Sequence, residues 1–219
     1  AGSATIEATE GKLDVTTLNA KEHAALTSGG DMVLTEAHAN TLTANAGGKL
    51  TATTLGVTGA AGLTSGGAME VTAANVGSVA AKAGTTLHVK KLTSTGEATL
   101  TSKDEAKLDD VTAGTLDAES TTGSVNAGTL TAKTGNASVT AKTDVKIDAL
   151  KAEAGGAKIE ATDGALGVTT LNAKEHAKLT SGSDMVLHEA EAGGTLTADA
   201  GDSIRAEGKN AKISADTLE

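Results

Sequence analysis

A short phrase, apolar-x-apolar-x-x-apolar, recurs about every 19 residues along the chain. It begins at Leu13, Val15 and Leu18, and restarts at Met32, Leu50, Met69, Leu87, Ala106, Val125, Val145, Leu166, Met185 and Ile204. In the last phrase Ile204 and Ala206 keep the pattern and Lys209 breaks the third slot. All three methionines fall in the first slot. Between phrases lies a second apolar pair at alternating spacing, such as Ala24 and Leu26, Ala98 and Leu100, or Ala177 and Leu179. Period-two alternation marks strands with one buried face. A fixed period of this length marks a coil stacked on itself, with no single central core.

Turn signals separate the strands, as at Ser28-Gly29-Gly30-Asp31, Ala46-Gly47-Gly48-Lys49, Ser65-Gly66-Gly67 and Ser181-Gly182-Ser183-Asp184. These glycines are expected to supply the positive φ of a coil corner. Ala, Lys and Glu favour helices, but a Gly arrives in every repeat and no stretch sustains helical periodicity for three turns. The expected fold is all-β: a right-handed, single-stranded parallel β-helix of about 11 rungs, each about 19 residues long. Eleven rungs at roughly 4.8 Å make a rod of about 50 Å. Residues 1–219 read as one continuous array without a domain boundary. A longer repeat lies on top: the stretch Gly11 to Leu34 is nearly copied at Gly164 to Leu187, eight rungs later.

Composition fits a thin interior. The chain has no Phe, Tyr, Trp, Pro or Cys, so large aromatic anchors and disulfides are excluded. Apolar content of 38% and charged content of 21% are too ordinary for disorder. The net charge of −10 comes from interspersed Lys and Asp/Glu, which reads as a solvated surface. Nucleic acid is not an expected partner, because a basic stripe and stacking aromatics are both missing. No apolar run approaches the ~20 residues of a membrane span.

The phrase G-x-L-x-V-x-x-L followed by Ala-x-Leu-Thr-Ser-Gly-Gly, and segments such as GGKLTATTLGVTGAAGLTSGGAMEV, resemble the shaft repeats of filamentous haemagglutinin-like exoproteins. The resemblance implies export by two-partner secretion in Gram-negative bacteria through an outer-membrane transporter partner. It also implies an extracellular or cell-surface location, in an adhesin or the stick of a contact-dependent inhibition system. The chain opens AGSATIEATEG inside the pattern, with no initiator Met, signal peptide, secretion domain or toxin. It is therefore expected to be a piece of a longer shaft, stacked at both ends on its parent and able to associate end to end.

No catalytic, cofactor-binding or metal site is expected. His23 and His176 share one repeat position eight rungs apart, roughly 38 Å along the rod, so they cannot share a metal. His38, His88 and His188 are equally dispersed, and the Lys-Glu-His-Ala stretches lack zinc spacing. Asp109 and Asp110 are adjacent, so they face opposite sides or sit in a corner. The slot before each phrase (Lys12, Asp31, Lys49, Ala68, Thr86, Glu105, Ser124, Asp144, Ala165, Asp184, Ser203) stacks no two acids, which argues against calcium. Gly29-Gly30-Asp31-Met32 only superficially matches the calcium nonapeptide.

An enzyme of the β-helical carbohydrate-active kind would need a convergent pocket, and the chain holds one Arg, Arg205, and no aromatic platform. The 20- and 21-residue rungs within Thr121–Asp163 are the only places where such a site could be inserted, and the extra residues are too few. An ice-binding solenoid would array Thr-x-Thr on one face, but only Thr99/Thr101 among ten outward pairs matches. The stack Thr93, Thr112, Thr131 reads as β-branched packing. The expected role is a structural shaft that presents a distal functional region. The alternative is an adhesin module that itself binds a surface, and no patch marking one is evident in the sequence.

Overall fold

The computed structural model describes residues 2–207, 212–214 and 217–218. Among these residues every regular element is a β-strand, and the strands pair in parallel. Each strand pairs with the strand one turn later, so the chain is a β-solenoid of about 11 turns. Register partners make this explicit: Leu13 pairs with Met32, Met32 with Leu50, Leu50 with Met69, and so on to Met185 with Ile204. Each turn has a long strand, such as Leu87–Ser94, and a short strand, such as Glu97–Ser102. In Leu50–Ser65 and Met69–Ala83 the two run on without a break, and register shifts between Val57 and Ala60.

The long strand is folded across its middle. Its burial alternates in, out, in, then shows two successive outward residues before alternation resumes, as in Ala106–Ala113. Asp109 and Asp110 are such a pair, both exposed at this bend. The interior is therefore lined from three directions. One turn contributes, for example, Val145, Ile147, Leu150, Ala152, Ala157, Ile159 and Ala161, all buried. Leu, Val, Ile and Ala fill a column that is only a side chain or two deep, which is why the chain dispenses with aromatics.

Two inward positions per turn go beyond the apolar phrase and pair. They are the last residue of the long strand (Ala113, Ala132, Ala152) and the third inward residue of the short strand (Ser28, Ala46, Ser65). Buried polar side chains among the described residues are all serines. The hydroxyl of Ser28 donates to the carbonyls of Gly11 and Asp31, both at 2.9 Å, and that of Ser120 to the carbonyl of Asp104 at 2.7 Å. These serines satisfy turn carbonyls inside the rod. Ser102 Oγ is fully buried and finds no partner among the described residues.

Two expectations need correction. The corner glycines do not supply positive φ: among the described residues only Gly11 has it, at 95°. They are required by close approach. A Cβ on Gly29 would collide with the carbonyl oxygen of Thr9, one on Gly47 with that of Gly29, and one on Gly66 with that of Gly47. At these three corners the backbone of the preceding turn leaves no room for a side chain. In the last turn the third slot is occupied by Ile213, which pairs with Ala190, after the strand Ile204–Ala206 ends. Lys209 itself lies outside the described residues.

The longer repeat extends further than the sequence phrase suggests. Residues 4–39 align with 157–192 at a constant offset, and 28 of 36 positions are identical. The eight differences are Thr5/Lys158, Glu10/Asp163, Lys12/Ala165, Asp14/Gly167, Ala25/Lys178, Gly30/Ser183, Thr35/His188 and His38/Glu191. None of these residues is buried in either copy. Divergence has left the interior untouched.

Candidate functional site

Outward side chains form columns along the rod, because parallel strands in register place equivalent residues above one another at about 4.8 Å. The column Glu70, His88, Lys107 and the columns beside it carry a ladder of ions. Glu70 meets Lys90 at 2.8 Å and Lys49 at 3.6 Å, and Asp109 meets His88 at 3.1 Å and Lys107 at 3.9 Å. The hydrogen bond from Lys90 holds the Glu70 carboxyl below the usual carboxylate range, against a smaller opposing effect of burial, with the charges of Lys90, Lys49 and His88 assisting. The residues are solvent-facing, so the ladder adds little to stability.

The five histidines lie apart. His23 Nδ1 meets Thr41 Oγ1 at 2.9 Å, His38 Nε2 meets Glu36 at 2.9 Å, and His88 meets Asp109. His176 Nδ1 accepts the backbone N–H of Thr195 at 3.0 Å, and His188 Nδ1 is buried without a partner among the described residues. Among the described residues no three His, Asp or Glu side chains converge as a metal site would require. The pre-phrase column is real, since each phrase's first N–H donates to that slot's carbonyl on the next turn, as from Leu13 to Asp31 and Met32 to Lys49. The threonines at 93, 112 and 131 are register partners.

Several open recesses interrupt the columns, three of them beside histidines. Two open grooves of about 480 and 560 Å³ share His38, Gly56 and Thr58. There His38 is tied to Glu36, and Thr58 donates to Asn40 Oδ1 at 2.9 Å. The third, of about 400 Å³, lies where the turns are longest. One residue, Gly114, separates long and short strands in the turn containing Ala106–Ala113, whereas residues 133–136 and 153–156 do so in the next two. The extra residues expected within Thr121–Asp163 sit at this corner.

This third recess is a grid of three turns by two columns. One column is Asn136, Gly156, His176, and the other, two residues later, is Ser138, Lys158, Lys178. Residues two apart in a strand face the same side. Gly156 lies between Asn136 and His176 on the floor of the recess, where a Cβ would meet the His176 carbonyl oxygen, and Glu175 lies on the rim. The acceptor sides of the flanking groups are occupied: Asn136 Oδ1 accepts the Gly156 N–H at 2.9 Å, and His176 Nδ1 accepts that of Thr195. Asn136 Nδ2 and His176 Nε2–H are left as donors. Lys158 pairs with Glu160 at 2.9 Å, while Lys178 has no carboxylate partner among the described residues. Sequence reasoning missed this grouping because its members are 42 residues apart. The repeat period was the signal that could have assembled them.

The fold places the chain in the class of parallel β-solenoids. No protein-family model, curated protein or solved structure matches it. Among the described residues no helix is long and apolar enough to cross a membrane.

Proposed function

We propose that the chain is a structural shaft of a secreted or surface-displayed bacterial protein, holding a functional region away from the surface that carries it. The observation that supports this reading is the unbroken interior. The inward phrase and pair positions stay in register through turns of 18 to 21 residues, and the two copies of the longer repeat share every buried residue while differing only outside. A rod built from interchangeable turns can lengthen without disturbing its core, because each turn contacts only its neighbours. The resemblance to filamentous haemagglutinin-like exoproteins adds the expected setting: a Gram-negative surface, an outer-membrane transporter as export partner, and an adhesin or contact-dependent inhibition role.

Negative-stain imaging of the surface-displayed parent tests the proposal. A rod of uniform width continuing through this segment is expected, and a globular particle would overturn it. A second reading, in which the segment itself adheres to a surface, is favoured by the recess over Gly156 and its neighbouring lysines.

A further inference from the structure

We propose that the recess over Gly156 is a binding site for an oxyanion group, a carboxylate, sulfate or phosphate, carried by a ligand outside the chain. The recess is lined by two lysines, and the nearby acceptors Asn136 Oδ1, His176 Nδ1 and the His176 carbonyl oxygen are already occupied by backbone N–H groups. Lys158 and Lys178 are register partners on adjacent turns. Like charges directly opposite are unfavourable, and an anion between them relieves that repulsion. With Glu160 engaging Lys158, the free charge of the site rests on Lys178. Glu175 on the rim limits the site to a single anionic group rather than a polyanionic cluster.

The duplicated segment supplies an internal control. His23 is the counterpart of His176 in a nearly identical stretch, but Thr5 stands where the later copy has Lys158, and Ala25 where it has Lys178. Two of the eight differences thus place cations beside His176 where the earlier copy has Thr5 and Ala25. The local charge follows the same trend. Residues 133–178 carry seven lysines against six acids, +1 of a total of −10, leaving −11 on the rest of the chain.

Histidine side-chain NMR of the full chain, titrated with sodium sulfate against sodium chloride at matched ionic strength, tests the proposal. Dextran sulfate serves as the polymer-borne source of the same group. A saturable shift at His176 with none at His23 is expected. Lys178→Ala, which installs the residue of the earlier copy, should weaken binding at least tenfold without lowering Tm. Saturation by free sulfate assigns a small-anion ligand, and saturation by dextran sulfate alone assigns an anionic group on a chain. Parallel or non-saturating shifts at both histidines with both probes, or unchanged binding in Lys178→Ala, would overturn the site.

Discussion

Residues 4–39 and 157–192 are the same structure built twice in different surroundings. Leu166, Val168 and Leu171 in the later copy are 1%, 1% and 0% exposed, whereas Val15 and Leu18 in the earlier one are 9% and 6% exposed and Leu13 is only partly buried. The long strand Leu166–Ala173 is covered by Val145–Ala152 below and Met185–Ala192 above, while among the described residues Leu13–Asn19 pairs only with Met32–Ala39 above it. Identical inward residues therefore differ in burial because of their neighbours. In a solenoid, stability belongs to the junction between turns as much as to a turn itself.

The largest expected effect follows. Val168→Asp places an unpaired charge in a closed apolar column and should cost about 4 kcal/mol or more, read from denaturant midpoints. Val15→Asp should cost clearly less, since water reaches it at the open edge. Equal losses would break the comparison. Val89→Asp, in the middle of the rod, should behave like Val168→Asp, with the outward change Lys107→Gln within about 0.5 kcal/mol of the parent.

The corners come next. Gly66→Ala would force its Cβ onto the carbonyl of Gly47 and should cost about 1–3 kcal/mol through a backbone shift, measured by thermal unfolding. Gly167→Asp, which restores the residue of the earlier copy at a position with open space around it, should be nearly neutral. A Gly66→Ala protein as stable as the parent would show that the stacked corners have slack.

Much of this was legible in the sequence, because a strict period fixes register once the inward slots are recognised. Every phrase and pair position through Met185 falls in its expected column. The chain was less legible where small residues act. Ala113 and Ala152 end the long strand inside the rod, and Ser28 and Ser65 bond turn carbonyls, yet Ala and Ser carry no clear mark of burial in a sequence. The glycine corners were located correctly but for another reason, since backbone-to-backbone distance between turns is not written in any one turn. The grid around Gly156 depends on residues brought together only by stacking.

Smaller effects concern the outer faces. Exchanging Lys158→Thr and Lys178→Ala together should change stability by no more than about 0.5 kcal/mol, because both lysines are exposed and neither counterpart in the earlier copy is buried. A large loss would mean that the divergence between copies is structural. The ion ladder midway between the copies should contribute least. Because Lys90 holds the Glu70 carboxyl below its ordinary range, its stabilisation is present above the usual carboxylate pKa and is lost as pH falls through the lowered value. The gap between the parent and Glu70→Gln should be small at neutral pH, shrink with salt and vanish on acidification. A gap that grows on acidification would contradict the assignment.

The most direct test compares one hydrogen bond made twice. The amide of Leu13 donates to the Asp31 carbonyl at 2.9 Å, and the amide of Leu166 donates to the Asp184 carbonyl at 3.0 Å. Donor and acceptor residues are the same in both copies; the flanking residues differ at Lys12/Ala165, Asp14/Gly167 and Gly30/Ser183, all outward, and only the later copy has a long strand beneath it. Native-state hydrogen exchange should show the Leu166 amide exchanging at least a hundredfold more slowly, because its turn opens only with its neighbours. Equal rates at the two amides would contradict the claim that stacking between turns, rather than the sequence of a turn, holds this fold together.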